Sequence, residues 1–495
     1  MNERSITIEQ FPSGVPGLDE VLGGGLPLYS FNLIAGDPGS GKTTLSTQIM
    51  FANATEDRPA LHFTVLGEPP VKMLRYQQQF GFFDPSIVGS AVRYVNLSAE
   101  ALAGDLAAVE ERITSEVERH EPGIIVVDSF RTVVQSTGED TGSEVVLQRF
   151  IQRLALHLAN WEVTSFLVGE YERAESGYNP VFTVADGILW LAQSLDRNSV
   201  VRKLHVMKMR GQAPMPGLHT FRISSDGVRV FPRMRRTPER RAPREPLRLS
   251  TGVPGLDTLM TGGVPQGHAY LVAGATGTGK SILARQFISA GAERDQPSVL
   301  VVFEEHVHEY IARAGHFGVD LNALAERNMV EALYLRPVDL SVDEILYEIQ
   351  EAVGRLGAMR VVIDSISGFE IALAPTFREE FRESLYRLVG ELTGMGVTVM
   401  MTVEVPETFG STQTSGHAMS FLADDIVLLR YAEIDSALRT VLVVLKMRGS
   451  QHSRELREYE ITPQGILVGE GLPEYAGIVT GTPRRREGGA DGGPT

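Results

Sequence analysis

Cysteine is absent from the 495 residues, which excludes disulfides, thiolate metal sites and a cysteine nucleophile. Lysine is scarce: of 46 basic residues only six are lysine, so arginine fills the places where any surface cation would serve. No apolar run approaches the length needed to span a bilayer, and Met1 to Arg4 lead into polar sequence rather than a signal-peptide core. An excess of basic charge is also lacking. The formal net charge is −16, the reverse of the basic stripe with which nucleic-acid binders neutralise backbone phosphates. These absences predict a cytoplasmic globular protein with no membrane partner, and they disfavour nucleic acid as one. What is present, 43% hydrophobic and 22% charged residues, is enough to bury two sizeable cores.

Four of the six lysines fall on two paired positions, 42/280 and 208/446, each pair 238 residues apart. Lys42 lies in the run Gly36-Asp37-Pro38-Gly39-Ser40-Gly41-Lys42-Thr43, and Lys280 in Gly274-Ala275-Thr276-Gly277-Thr278-Gly279-Lys280-Ser281. Both fit the phosphate-binding loop Gly-x4-Gly-Lys-Ser/Thr. The glycines let backbone N–H groups wrap phosphates, the lysine places a point charge near the β and γ groups, and the Thr43 or Ser281 hydroxyl can hold Mg²⁺. Together with Thr44 and Ile282, which follow, these residues form two candidate ATP sites. The same step carries Gly14-Val-Pro-Gly-Leu-Asp19 onto Gly252-Val-Pro-Gly-Leu-Asp257, Ala185-Asp186 onto Ala423-Asp424 and Lys208-Met-Arg-Gly211 onto Lys446-Met-Arg-Gly449. A period this long marks two whole domains of common ancestry.

Phe31–Ala35 and Ala269–Ala273 are continuous apolar runs entering the loops, with helical patterns after them. Strands that are apolar on both faces belong to mostly parallel sheets flanked by helices, which predicts an α/β fold in each repeat. The reading is a first domain over 1–232, an Arg/Pro-rich linker over 233–247, a second domain over 248–480 and a disordered tail over 481–495. The linker holds six arginines between Arg233 and Arg244 among prolines and reads as an extended, solvated segment. Two further apolar runs end in Asp128-Ser129 and Asp364-Ser365, the Walker B pattern, which places each aspartate beside a phosphate loop and its Mg²⁺. Another strand runs into Glu304-Glu305 in the second half and into Gly67-Glu68 in the first; a carboxylate there can activate the hydroxyl that attacks the γ-phosphate. Lys208/Arg210 and Lys446/Arg448 present paired cations far along the chain from their own loops. In a ring of subunits each pair can serve a neighbour's γ-phosphate as a trans finger.

With these motifs, with Leu428-Leu-Arg-Tyr431-Ala-Glu-Ile434, and with Lys446 to His452, the chain resembles the KaiC family of circadian-clock ATPases and autokinases from about Ser13 to Gly469. The resemblance implies tandem RecA-like P-loop domains in a homohexamer of stacked rings with ATP at the subunit interfaces. It also implies slow hydrolysis in the first domain, serine/threonine autophosphorylation in the second and a small KaiB-like partner on the first ring. The chain departs from the family at Gly67-Glu68, where a glutamate pair is usual, and at Ser420-Phe421, where an adjacent Ser-Thr pair accepts phosphate. Ser420 is therefore the expected phosphosite, with Ser411, Thr412, Thr414 and Ser415 as further candidates in the same segment. The expected role is a KaiC-like regulatory or signalling ATPase. The other readings are a RecA-type nucleic-acid-dependent motor and a nucleotide-locked scaffold with little turnover.

Overall fold

A computed structural model describes residues 8–65, 70–135, 143–177, 179–196, 199–233, 247–304, 306–315, 317–335, 341–372, 381–405, 422–478 and 484–485. Glu68, Glu305, Ser411, Thr412, Thr414, Ser415 and Ser420 lie outside the described residues, as do most of the linker and most of the tail. The chain divides into two compact units, Met1–Arg235 and Arg236–Thr495.

In the first unit the apolar run before the phosphate loop is strand β1, Phe31–Gly36, buried along its whole length. It is followed by β2 Ala60–Thr64, β3 Val92–Asn96, β4 Ile124–Asp128, β5 Thr164–Glu170, β6 Gly187–Asp196, β7 Ser199–Met209, β8 His219–Ser224 and β9 Gly227–Phe231. Among the described residues these nine form one sheet in the order β3-β2-β4-β5-β1-β6-β7-β8-β9. The first six in that order run parallel, and β7, β8 and β9 extend the sheet antiparallel. Both faces are covered: Phe31, Leu33 and Ala35 pack with Phe150, Ile151 and Leu154 on one side. On the other, Ile34 packs with Leu45, Ile49 and Met50 of helix α1, Lys42–Asn53. Double coverage is why these strands read as unbroken apolar runs.

The second unit repeats the plan. Its strands are β10 Ala269–Gly274, β11 Ser298–Val302, β12 Val330–Tyr334, β13 Arg360–Asp364, β14 Thr398–Glu404, β15 Asp425–Ile434, β16 Ala437–Met447, β17 Arg457–Thr462 and β18 Gly465–Gly471. Among the described residues they form a nine-stranded sheet in the order β12-β11-β13-β14-β10-β15-β16-β17-β18, and helix α2, Lys280–Ala292, follows its phosphate loop. Within the segment read as a disordered tail, Arg484–Arg485 pairs antiparallel with Tyr475–Ala476, and Arg485 reaches Glu474 at 3.4 Å. That exposed ribbon corrects the expectation for these two residues, since opposite charge and two backbone pairings hold them.

Among the buried polar residues of the strands are one arginine in the second half and one histidine in the first. Arg360 opens β13 fully buried; its Nη1 donates to the carbonyls of Ser250 (2.9 Å) and Phe287 (2.7 Å), and its Nη2 to Gln296 Oε1 (2.5 Å). Burial pulls its pKa down to about 10. His62 of β2 is also fully buried, against the Tyr94 ring at 5.3 Å, and burial lowers its pKa to about 3. Below the ordinary value of 6.5 the unfolded chain therefore takes up a proton that the folded chain refuses, so stability falls as pH drops from 6.5 towards 3. By pH 5 this one site costs the first unit about 2 kcal/mol. His62→Leu, which installs the residue found at Leu300 in the second half, should flatten the pH dependence of unfolding between pH 7 and 5. An unchanged slope in denaturant titrations would refute the assignment.

Candidate functional site

Each phosphate loop joins the carboxyl end of a central strand to the amino end of a helix. Gly41 and Gly279, the residues that start α1 and α2, have φ of 100° and 90°, a left-handed conformation that glycine adopts without strain. The loop then folds around its lysine. Lys42 Nζ donates to the carbonyls of Gly36 (3.1 Å) and Asp37 (2.7 Å), and Lys280 Nζ to those of Gly274 (2.9 Å) and Ala275 (2.7 Å). Burial lowers both ammonium pKa values from the ordinary lysine range, against the pull of carboxylates led by Glu170 for Lys42 and Glu404 for Lys280. Both ammonium groups are thus caught between partial desolvation and nearby negative charge.

The Walker B aspartates end strands β4 and β13, each one strand removed from the loop strand. Thr43 Oγ1 donates to Asp128 Oδ2 at 2.6 Å, joining the two residues that sequence assigns to Mg²⁺ in the first half. Burial raises the Asp128 carboxyl pKa, opposed by that hydrogen bond and by the Lys42 charge. A hydroxyl beside a carboxylate is a hard-oxygen set of the kind Mg²⁺ prefers, so the residues present fit the ion. Asp364 is held differently, accepting from Thr402 Oγ1 at 2.5 Å and from the Tyr310 hydroxyl at 3.0 Å. Glu304 stands next to it, accepting from Ser365 Oγ at 2.7 Å. In the first half a cleft of about 890 Å³ opens over the loop, lined among others by Gly39, Lys42, Thr43, Asp128, Arg131 and Glu170.

Several neighbours escaped the sequence reading. Glu170 and Glu404 end strands β5 and β14, which lie between each loop strand and its Walker B strand. Glu170 Oε1 lies 4.0 Å from Lys42 Nζ, and Glu404 Oε1 accepts from Thr276 Oγ1 at 2.6 Å. Tyr459 braces the second loop from beneath, its hydroxyl donating to the Thr278 carbonyl at 2.6 Å. The signal available in sequence was a carboxylate closing an apolar run, the same signal that identified Asp128 and Asp364.

The Lys-x-Arg pairs are not brought to their own loops. Strands β7 and β16 run antiparallel to β6 and β15, so they deliver Lys208/Arg210 and Lys446/Arg448 to the amino end of each parallel sheet, whereas the loops lie at its carboxyl end. There Lys208 Nζ donates to the Thr183 carbonyl (3.1 Å) and Lys446 Nζ to the Ala423 carbonyl (2.7 Å). Arg210 pairs with Asp186 at 2.8 Å and Arg448 with Asp424 at 3.2 Å.

Comparison with known proteins agrees with the duplicated nucleotide-site geometry. The family model for the KaiC ATPase matches residues 11–235 and again 249–472. The circadian clock oscillator protein KaiC of Thermosynechococcus vestitus is 28% identical over 98% of this chain and 93% of its own length. Its counterpart in Prochlorococcus marinus is 28% identical over 97% and 96%, and KaiC 1 of Synechocystis is 27% identical over 97% and 92%. No helix among the described residues is long and apolar enough to cross a membrane. Two matches of one ATPase family, together spanning most of the length, place this chain in the KaiC family.

Proposed function

We propose that this KaiC-family ATPase binds Mg²⁺ and ATP at both phosphate loops, hydrolyses ATP between copies of itself in a hexameric ring, and transfers phosphate to a serine in its second half. The observation that carries the proposal is the pairing, in each half, of a lysine folded into its glycine loop with a strand-end aspartate alongside. Lys42 and Lys280 would turn from their backbone carbonyls to the β/γ-phosphates, since an ammonium gains more from a charged acceptor than from a neutral one. Thr43 with Asp128, and Ser281 with Asp364, would hold Mg²⁺, which when bound neutralises charge on the phosphate oxygens.

Glu304 and Glu305 are the proposed base pair of the second half, and Glu68 the base of the first. Each would accept a proton from the attacking hydroxyl, water in hydrolysis or the Ser420 side chain in autophosphorylation. Lys208/Arg210 and Lys446/Arg448 would stabilise the charge that develops on a neighbour's γ-phosphate. A small KaiB-like protein on the first-half ring completes the regulatory reading. The chain's net charge of −16 supplies no general attraction for nucleic acid, so single-stranded DNA should not stimulate turnover.

Three outcomes follow. Lys42→Ala and Lys280→Ala should each remove roughly half of the ATP bound per chain, because the charge facing the phosphates is lost; equilibrium dialysis in which either variant alone removes all binding would contradict two sites. Mixing Arg210→Ala chains with Lys42→Ala chains should restore part of the first-half ATPase that neither retains alone, since some interfaces then combine an intact loop with an intact finger. Wild-type protein that stays monomeric with ATP, or a mixture with no recovery, would remove the ring. After incubation with Mg²⁺ and ATP, mass spectrometry should find phosphate on Ser420, lost in Ser420→Ala while ATP binding persists, and Glu305→Gln should depress both incorporation and second-half hydrolysis. Phosphate confined to the first half, or none at all, would leave an ATPase without kinase activity.

A further inference from the structure

The repeated Ala-Asp motif, Ala185-Asp186 and Ala423-Asp424, is not accounted for by any role assigned above. Its two copies make the same set of contacts. Asp186 Oδ2 accepts the backbone N–H of Phe31 at 3.1 Å, and Asp424 Oδ2 that of Ala269, also at 3.1 Å. The backbone N–H groups of Asp186 and Asp424 donate back to the carbonyls of those residues at 2.7 and 2.8 Å. Phe31 and Ala269 open the strands that end in the phosphate loops, so each aspartate is fastened to the foot of its own loop strand. The second carboxylate oxygen faces the other way. Asp186 Oδ1 accepts from Arg210 Nη1 at 2.8 Å and Asp424 Oδ1 from Arg448 Nη1 at 3.2 Å, and the arginine backbone N–H groups donate to the aspartate carbonyls at 3.0 Å in both halves.

The approach of the cations is duplicated as well. Each hairpin carries a register shift just before its lysine, between Ile188 and Leu189 and between Ile426 and Val427. The residues this leaves unpaired, Met207 and Leu445, are apolar yet exposed. A bulge re-aims the side chains that follow it and is kept where that aim matters. The two ion pairs are open to solvent, with the Arg210 and Arg448 side chains 60% and 71% exposed, so they add little to stability. Each bond uses one nitrogen of a five-donor guanidinium, a geometry that orients the group without enclosing it.

We infer that Asp186 and Asp424 are positioning residues for the arginine fingers, each setting the direction of Arg210 or Arg448 from the foot of the loop strand in the same subunit. The inference rests on the trans-finger reading. It adds a mechanical link: the strand whose carboxyl end grips one ATP holds, at its amino end, the arginine directed at the next. Misplacing a charge-stabilising group by about 1 Å is enough to slow a reaction on the order of 100-fold.

Asp186→Asn is the discriminating change, because asparagine can still accept from the Phe31 N–H while turning an amide donor, without charge, towards Arg210. In a full-length chain whose second site is silenced by Lys280→Ala, it should lower kcat for ATP by about 10-fold or more, with KM and the amount of ATP bound at the first site unchanged. Added to Arg210→Ala, it should produce no further loss, since the aspartate acts only through the arginine. Asp424→Asn with Arg448→Ala repeats the test in the second half and stands alone if the first-half variant does not fold. Losses that multiply in the double variant, or Arg210→Ala slowing turnover while Asp186→Asn does not, would overturn the inference with the finger intact. If Arg210→Ala and Arg448→Ala leave turnover unchanged, the finger reading falls and the inference with it.

Discussion

Each phosphate loop starts where the backbone leaves no room for a side chain. A Cβ on Gly36 would lie 1.8 Å from the Leu191 carbonyl of β6, and one on Gly274 would lie 2.6 Å from the Leu429 carbonyl of β15. The loop strand is therefore pressed against its neighbour at the point where it turns, and the Asp37 N–H donates to that same Leu191 carbonyl at 3.2 Å. From this fixed point the chain has only the short run of the loop in which to reach the helix. The left-handed glycines 41 and 279 complete the turn, and the lysine folds back over it. Burial of β1 and β10 on both faces keeps the fixed point from moving. The aspartates, the glutamates and the braces are arranged around a loop whose position the sheet has already set.

The parts legible in the sequence are those whose chemistry needs contiguous residues. Six glycine, lysine and hydroxyl positions within eight residues announce a phosphate loop, and an apolar run ending in aspartate announces the Walker B strand. Residues that meet across strands leave no such run. Glu170 and Glu404 are 234 positions apart, whereas the loop lysines are 238 apart and the Walker B aspartates 236; a constant step of 238 carries Glu170 onto Thr408 instead. Tyr310 and Thr402 reach Asp364 from two different elements, and no contiguous motif in the sequence suggests either. His62 and Arg360 were hidden for another reason. Each sits within or at the foot of an otherwise apolar strand, and its burial follows from packing that a one-dimensional pattern does not express.

The two halves share a frame but not their supports. Phe221 stands at the step of 238 from Tyr459, so the first loop lacks the hydroxyl that holds Thr278 in the second. Val168, 234 positions before Thr402, and Met73, 237 before Tyr310, offer Asp128 no hydrogen bond of the kind Asp364 receives. Asp128 is left to Thr43, whose hydroxyl already spans the gap between loop and strand. The second aspartate is thus held by elements outside its loop and the first by its loop's own hydroxyl, while both lysines fold onto carbonyls of their own loops.

The direction of the strands divides the remaining work. In each half six parallel strands bring the loop, the Walker B aspartate and Glu170, or Glu304 and Glu404, to one edge of the sheet, and the first antiparallel strand returns the chain to the other. A loop strand of six residues spans about 20 Å. Arg210 and Arg448 stand at the foot of that span with their guanidinium groups largely in solvent, out of reach of the phosphate site at its head. Among the described residues, the ion-pair partner of each is the aspartate that holds it. If, as proposed, each arginine meets the phosphate of another copy of the chain, the fold of one subunit supplies both halves of the contact between two.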